Sequence, residues 1–285
     1  MKKKVEKQRI LILGGSGFIG NGLYKELLPY FEVHCTYCQQ QGAFSENQVF
    51  HNFCVEEDSM FLLLNKIQPT IIISAINGDY KNQYEAYQQI LNYALINSAC
   101  SVLYISSSEV FNGKFRHPSY ENDVTLSETA SGKFKISIEK LLLETIPQQT
   151  AVIRLPMVLG INSPQILHLR QCIRHQATFE VFPNLVITTT TISKVCQQIH
   201  YIINQSLLGV FHLASNDMVH HEDLFREITS KMGDKMPIFK SVFHSNEFRY
   251  SSILPKDNIL PKSLQITVSQ VIEECSLNEE IMSIK

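Results

Sequence analysis

The chain has 285 residues, enough for one large domain or two small ones. Hydrophobic residues make up 44% and charged residues 18%, the composition of a globular protein with a sizeable core. Lys+Arg 25 against Asp+Glu 27 gives a net charge of −2, which excludes a global basic field for nucleic acid or an anionic membrane.

Met1 to Lys7 reads as a solvated lysine tail, and no hydrophobic region of export length follows it. Apolar runs such as Ile71-Ile72-Ile73 fall far below the roughly 18 residues of a spanning helix, so no membrane association is expected. Seven cysteines are scattered without framework spacing, as in a reducing compartment, and the protein is expected to be cytoplasmic. Cys35-Thr36-Tyr37-Cys38 is formally a CxxC but lacks a second ligand pair, so no metal site is expected.

Ile10 to Leu13 is an all-apolar run suited to a strand buried on both faces, and Phe18 to Leu28 has helical spacing up to Pro29. Strands follow at Phe31–Tyr37 and Val49–Phe53, then a helix at Ser59–Ile67 and a strand at Thr70–Ala75. A helix at Tyr84–Ala99, a strand at Val102–Ser106, a helix at Ser127–Thr145 and a strand at Ala151–Leu155 complete the series. Strands alternating with helices of this length predict an α/β doubly wound parallel sheet of Rossmann type. Beyond about residue 160 the rhythm changes: helices at 164–175, 191–204, 220–231 and 267–276 alternate with short strands at Val186–Thr189 and Val210–Leu213. The expected division is a Rossmann-type domain over 1–160 and a smaller C-terminal α+β lobe over 161–285, some of whose segments can return to the sheet.

Gly14-Gly15-Ser16-Gly17-Phe18-Ile19-Gly20 joins the first strand to the first helix and satisfies GxGxxG through Gly15, Gly17 and Gly20, or GxxGxxG through Gly14. Missing Cβ atoms let the backbone approach a pyrophosphate, and the helix N-terminus offers unpaired N–H groups to it. A dinucleotide cofactor is therefore expected at these seven residues. The second strand ends in Thr36-Tyr37-Cys38-Gln39-Gln40, with neither the acid that suits NAD nor the Arg that suits NADP, so both cofactors stay open.

Several segments in order resemble the extended short-chain dehydrogenase/reductases, and among them the dTDP-4-dehydrorhamnose reductase-like, sugar-nucleotide-binding family. They are the glycine loop, Ile71 to Ala75, Ile105 to Gly113, Ser119 to Asp123, Arg154 to Gly160 and Gly209 to Ala214. The resemblance implies a Ser/Thr after the fifth strand, matched by Ser107, and a Tyr-x-x-x-Lys whose lysine is matched by Lys135. It also places Ala75, Lys135 and Pro156 beside the cofactor. The tyrosine position, four before Lys135 on the same helix face, holds Ser131. An aliphatic hydroxyl lacks the acidity of a phenol that titrates near about pH 10, so Ser131 does not simply replace it.

Glu109, in a segment similar to the Asp-Glu-Val-Tyr of sugar-nucleotide 4,6-dehydratases, is the alternative acid-base group, against the plainer reading of a surface carboxylate. Tyr120 reads as a packed loop aromatic, His220-His221 as capping or surface residues, and Thr188 to Thr191 as structural. The resemblance implies an NAD(P)-dependent oxidoreductase acting on a nucleotide-linked sugar, most simply by 4-keto reduction. The alternative is a dinucleotide-binding regulatory or sensor protein without turnover, for which the regulatory subunit of methionine adenosyltransferase, similar to this group, is a precedent. The expected ligand is a nucleotide-sugar small molecule, and the expected associations are a homodimer or a partner enzyme.

Overall fold

A computed structural model describes residues 8–38, 41–76, 78–233, 235–243 and 246–277. The lysine tail at 1–7 and the pair Gln39-Gln40 lie outside these residues. The elements run β1 (Arg9–Leu13), α1 (Phe18–Leu27), β2 (Glu32–Tyr37), α2 (Gln41–Phe44), β3 (Phe50–Asn52), α3 (Met60–Ile67), β4 (Ile71–Ser74) and α4 (Tyr80–Ile96). Then come β5 (Ser101–Ser107), α5 (Ala130–Thr145), β6 (Thr150–Leu155), β7 (Met157–Leu159), α6 (Pro164–His175), β8 (Thr178–Val181), β9 (Leu185–Ile187) and β10 (Thr189–Thr191). The last are α7 (Ile192–Asn204), β11 (Gly209–His212), β12 (Val219–His220), α8 (His221–Met232), β13 (Ile238–Ser241), β14 (Arg249–Ser251) and α9 (Val268–Ser276).

Among the described residues the largest sheet has the order β11-β6-β5-β4-β1-β2-β3, with β1, β2, β3, β4 and β5 in parallel register. This is the doubly wound arrangement predicted from the alternating elements. The all-apolar runs of β1 and β4 are buried on both faces because helices cover both sides of a parallel sheet. Contacts divide the chain into two compact units that do not meet at one point near residue 160. Unit 1 takes 1–106, 134–153 and 199–210; unit 2 takes 107–133, 154–198 and 211–285. The sequence analysis could not place this interleaving, because α5, α7, β6 and β11 each run continuously through a boundary.

Unit 1 buries Leu11, Leu13, Leu64, Ile72, Tyr87, Ile90, Val102, Ile138 and Val152 in one cluster. In it, α4 begins at Tyr80, four residues before the predicted start. Asp79 caps it by accepting from the N–H groups of Lys81 (3.0 Å) and Asn82 (3.2 Å). Unit 2 centres on Leu159, Leu169, Phe179, Leu224, Phe225, Val271 and Ile272. The single strand expected at Val186–Thr189 is two. β9 pairs with β12 and β14, β10 pairs with β7, and the break falls at Thr188, whose hydroxyl accepts from the Ile253 N–H (3.1 Å).

Polar groups organise the interior of unit 2. Arg154, 4% exposed, donates to the Glu121 carbonyl (3.0 Å), and its guanidinium lies 4.9 Å from the centre of the Phe111 ring. The Glu121 carboxylate, also buried, accepts from the backbone N–H groups of Lys256 and Asp257. His212 bridges this cluster, its Nδ1 facing the Leu254 carbonyl (3.1 Å) and its Nε2 facing Arg154 (3.3 Å). His221, expected as a capping or surface residue, is instead buried between Phe182 and Phe225, because α8 turns that side of its first turn inward.

Burial, reinforced by the Arg154 cation, pushes the His212 imidazole down to about 3, and burial pushes His221 down to about 4. An unfolded histidine titrates near about 6.5, so at mildly acid pH the unfolded chain binds protons that the folded chain refuses. Stability is therefore lost as pH falls from about 6.5 toward those lowered values. Calorimetric melting midpoints should be lower at pH 5 than at pH 7. His212→Gln should lose less over that interval than the wild type; an equal loss would contradict a neutral, buried His212.

Candidate functional site

In unit 1 the glycine loop is built by backbone contacts. Gly14 has φ +82°, and a Cβ there would meet the Ala75 carbonyl oxygen at 2.5 Å. A Cβ on Gly20 would fall on the Gly14 carbonyl, so the first turn of α1 sits directly on the loop. The Gly14 N–H donates to the Thr36 hydroxyl (2.8 Å), the Ser16 N–H to the Thr36 carbonyl (3.3 Å) and the Gly17 N–H to the Gly14 carbonyl (3.0 Å). Asn21 makes the first bond of α1 to the Gly17 carbonyl (2.8 Å). The N–H groups of Phe18 and Ile19 therefore lack intrahelical acceptors and point out of a positive helix end.

Beside this loop is a cleft of about 340 Å³ lined by Gly14, Ser16, Gly17, Thr36, Tyr37, Cys38, Phe53, Val55, Glu56, Ala75, Ile76 and Gly78. Of the predicted cofactor residues, Gly14, Ser16, Gly17 and Ala75 line this cleft. Its far wall was not foreseen. There Cys38 is joined to Cys54 by a disulfide, a pairing that the scattered spacing of the cysteines did not announce. Adjacent parallel strands account for the pairing: Tyr37 is in register with Asn52, and the Phe53 N–H donates to the Tyr37 carbonyl (2.8 Å). Cys35, the other half of the formal CxxC, is free and buried.

α5 carries Ser131, Lys135 and Glu139 at four-residue spacing on one helix face. Glu139, not singled out in the sequence, is 3% exposed and accepts from the Ser106 hydroxyl at 2.5 Å within unit 1. Only a buried carboxylate on the helix interior could have flagged it, and the sequence pattern does not distinguish that from a surface glutamate.

In unit 2, Ser107 caps the short 3-10 helix Ser108–Phe111 by accepting from the Glu109 N–H (3.4 Å). The Ser131 hydroxyl donates to the Glu109 carboxylate Oε2 at 2.6 Å, so three of the predicted residues form one cluster. Glu109 is exposed, as the plainer reading expected, yet it is engaged by Ser131. The contact is held by the start of α5: the Thr129 hydroxyl accepts from the Gly132 N–H (3.1 Å), and a Cβ on Gly132 would meet the Glu109 carbonyl at 2.6 Å. Tyr120 lies outside this cluster, its ring under the Lys256 ammonium at 5.0 Å. Pro156 belongs to unit 2, immediately before β7.

Unit 2 also contains a cavity of about 370 Å³ whose lining includes Asn112, Phe115, Asn184, Arg249 and Tyr250. The Arg249 guanidinium lies 4.7 Å from the centre of the Phe115 ring. The sequence offered no motif here, because these residues come from segments brought together by the pairing of β9 with β14. Asn112, directly after the 3-10 helix, connects the cavity wall to the segment bearing Glu109, and its side-chain oxygen accepts from the Glu128 N–H (3.0 Å). Among the described residues no cluster of His, Cys, Asp or Glu has the makings of a metal site, and no helix is long and apolar enough to cross a membrane.

Residues 8–250 match the family described as the RmlD substrate binding domain. Among curated proteins, methionine adenosyltransferase 2 subunit beta from Rattus norvegicus is 23% identical over 242 residues, covering 75% of this chain and 69% of that protein. Among solved structures, a dTDP-4-dehydrorhamnose reductase from Bacillus anthracis in complex with NADP has a TM-score of 0.73 at 16% identity, covering 94% of this chain and 98% of the other. A UDP-glucose 4-epimerase from Thermotoga maritima, solved with UDP-glucose, has a TM-score of 0.79 at 16% identity, covering 95% and 98%. The family match covers most of the chain's length and the fold agrees with it: the chain belongs to the RmlD substrate binding domain family.

Proposed function

We propose that the protein is an NAD(P)-dependent oxidoreductase that acts on a nucleotide-linked sugar, interconverting a keto group and an alcohol on the sugar. The residues present fit a dinucleotide: the cradle at Gly14 and Gly20 has no room for a Cβ, and the Phe18 and Ile19 N–H groups are available to a pyrophosphate. Bound nicotinamide supplies or takes the hydride. Lys135 holds the nicotinamide ribose hydroxyls, in keeping with its family resemblance, and the cavity with Phe115, Tyr250 and Arg249 receives the base and the anionic diphosphate of the substrate.

The observation that carries the reading is the bond from Ser131 to Glu109 beside Ser107. In the oxidation direction Ser131 takes the proton of the substrate alcohol while passing its own to the Glu109 carboxylate, the direction in which the hydrogen bond already points. In reduction the same protons move the other way, so Glu109 must begin in its acid form. The Ser107 hydroxyl steadies the substrate oxygen. A serine alone would be a poor acid; in reduction the protonated Glu109 behind it is the source of the proton that Ser131 hands on.

A second reading is favoured by the likeness to the methionine adenosyltransferase subunit. In that reading the chain keeps the dinucleotide site, has no turnover and acts on a partner enzyme.

Oxidation of NADH or NADPH, followed at 340 nm with a panel of 4-keto sugar nucleotides, separates the two. The first reading expects turnover that Glu109→Gln lowers by roughly 10²–10⁴-fold, while dinucleotide affinity is retained. Ser131→Tyr, placed four residues before Lys135, should leave that activity unchanged or lower it. An inert wild type that Ser131→Tyr awakens would show a site disabled at one residue, and an inert wild type and variant would support the partner-enzyme reading.

Lys135→Ala should weaken dinucleotide binding by about 1–3 kcal/mol, the loss of a charge-assisted hydrogen bond. Titration calorimetry that finds the affinity unchanged would remove Lys135 from the cofactor site.

A further inference from the structure

The seven cysteines fall into two physical classes. Cys35, Cys100, Cys172, Cys196 and Cys275 are buried, and none of them is in a disulfide. Burial pushes the Cys100 and Cys275 thiols up to about 12 and raises Cys35 and Cys172 as well, so none of these four offers a thiolate at neutral pH. Cys38 and Cys54 are only half-buried, and they are the two joined to each other. The reactive pair is thus separated from the inert set by exposure.

Its position gives the pair a consequence. Cys38 lines the cleft beside the glycine loop, one residue beyond β2, where a Rossmann fold meets the adenosine ribose. Two residues earlier, Thr36 accepts from the Gly14 N–H and from the Ser16 N–H. Cys54 is fixed from the other side. Its N–H donates to the Asp58 carboxylate (2.7 Å), its carbonyl accepts from the Asp58 N–H (2.8 Å), and its neighbours Phe53 and Val55 line the same cleft. The disulfide therefore ties the end of β2, which holds the glycine loop, to the turn after β3, which forms the opposite wall.

We propose that Cys38 and Cys54 are a thiol–disulfide modification site that sets the nucleotide affinity of this cleft. The proposal rests on the dinucleotide reading given above. Closure proceeds by exchange with a low-molecular-weight disulfide such as oxidised glutathione. One cysteine thiolate attacks a glutathione sulfur and expels one glutathione thiolate. The second cysteine thiolate then attacks the mixed disulfide and expels the glutathione still attached. Two protein thiols lose two electrons and two protons, and one glutathione disulfide is reduced to two thiols. The cross-linked wall is organised before the nucleotide arrives, so the oxidised form binds more tightly than the reduced form, which must order both strand ends on binding. By linkage, bound nucleotide stabilises the disulfide by the same factor.

The test uses the full chain equilibrated in reduced and in oxidised glutathione. Thiol state is read by alkylation and mass spectrometry, and affinity by the fluorescence of NADH and NADPH. The expected result is a closed Cys38–Cys54 disulfide in oxidised glutathione, with the other five cysteines alkylated only after unfolding. Affinity for at least one dinucleotide should be about tenfold weaker in the reduced form. Cys54→Ser should match the reduced wild type in both buffers. Equal affinities in the two redox states, or a tight-binding Cys54→Ser, would overturn the redox site and leave the dinucleotide reading standing. Binding of neither dinucleotide in either state would overturn both.

Discussion

The close approach of backbone to backbone where β1 meets α1 is the constraint on which the unit 1 site depends. Gly14 reaches the Ala75 carbonyl in a left-handed conformation, and Gly20 reaches Gly14, each at a distance that excludes any side chain. This contact seats the helix N-terminus on the loop and leaves the N–H groups of Phe18 and Ile19 facing outward. It also fixes the end of β2, because the Gly14 and Ser16 N–H groups both end on Thr36. Through β2 the order passes to Cys38, and through the disulfide to the turn that begins at Cys54. One local requirement for missing Cβ atoms thus shapes the anion cradle and the wall opposite it.

In unit 2 the proposed chemistry depends on a second local device, the start of α5. Thr129 caps the helix, Gly132 brings it against the Glu109 backbone, and Ser131 is thereby delivered to the Glu109 carboxylate. A serine in this place acquires a proton partner from a residue 22 positions earlier. The proposed proton path consequently needs neither an acidic hydroxyl nor a metal, only a carboxylate that changes protonation between the two directions of reaction.

The elements were legible where one local signal determines them. Doubly buried β1 and β4 read as apolar runs, α1 and α6 as periodic segments between a glycine or proline and a stop, and the glycine loop as a motif in its strand-turn-helix setting. What the sequence concealed depends on non-local partners. The start of α4 waits on the side chain of Asp79, and the division of Val186–Thr189 waits on which strands its two halves meet. Cys38 and Cys54, 16 residues apart, carry no framework spacing and come together only because β2 and β3 are neighbours. Of the candidate catalytic cluster, Ser107 and Ser131 could be located by their offsets from a strand and a lysine. Glu109 stood out only as a residue type in a resembling segment, and its bond to Ser131 could not be derived from spacing.

The central claim is that the turn between β1 and α1 holds the pyrophosphate of a dinucleotide. A crystal structure of the chain grown with NADPH or NADH tests it most directly. The account predicts pyrophosphate oxygens accepting from the Phe18 and Ile19 N–H groups, with the adenosine ribose against the wall formed by Cys38 and Cys54. A dinucleotide seated elsewhere, with those N–H groups facing only water, would contradict it.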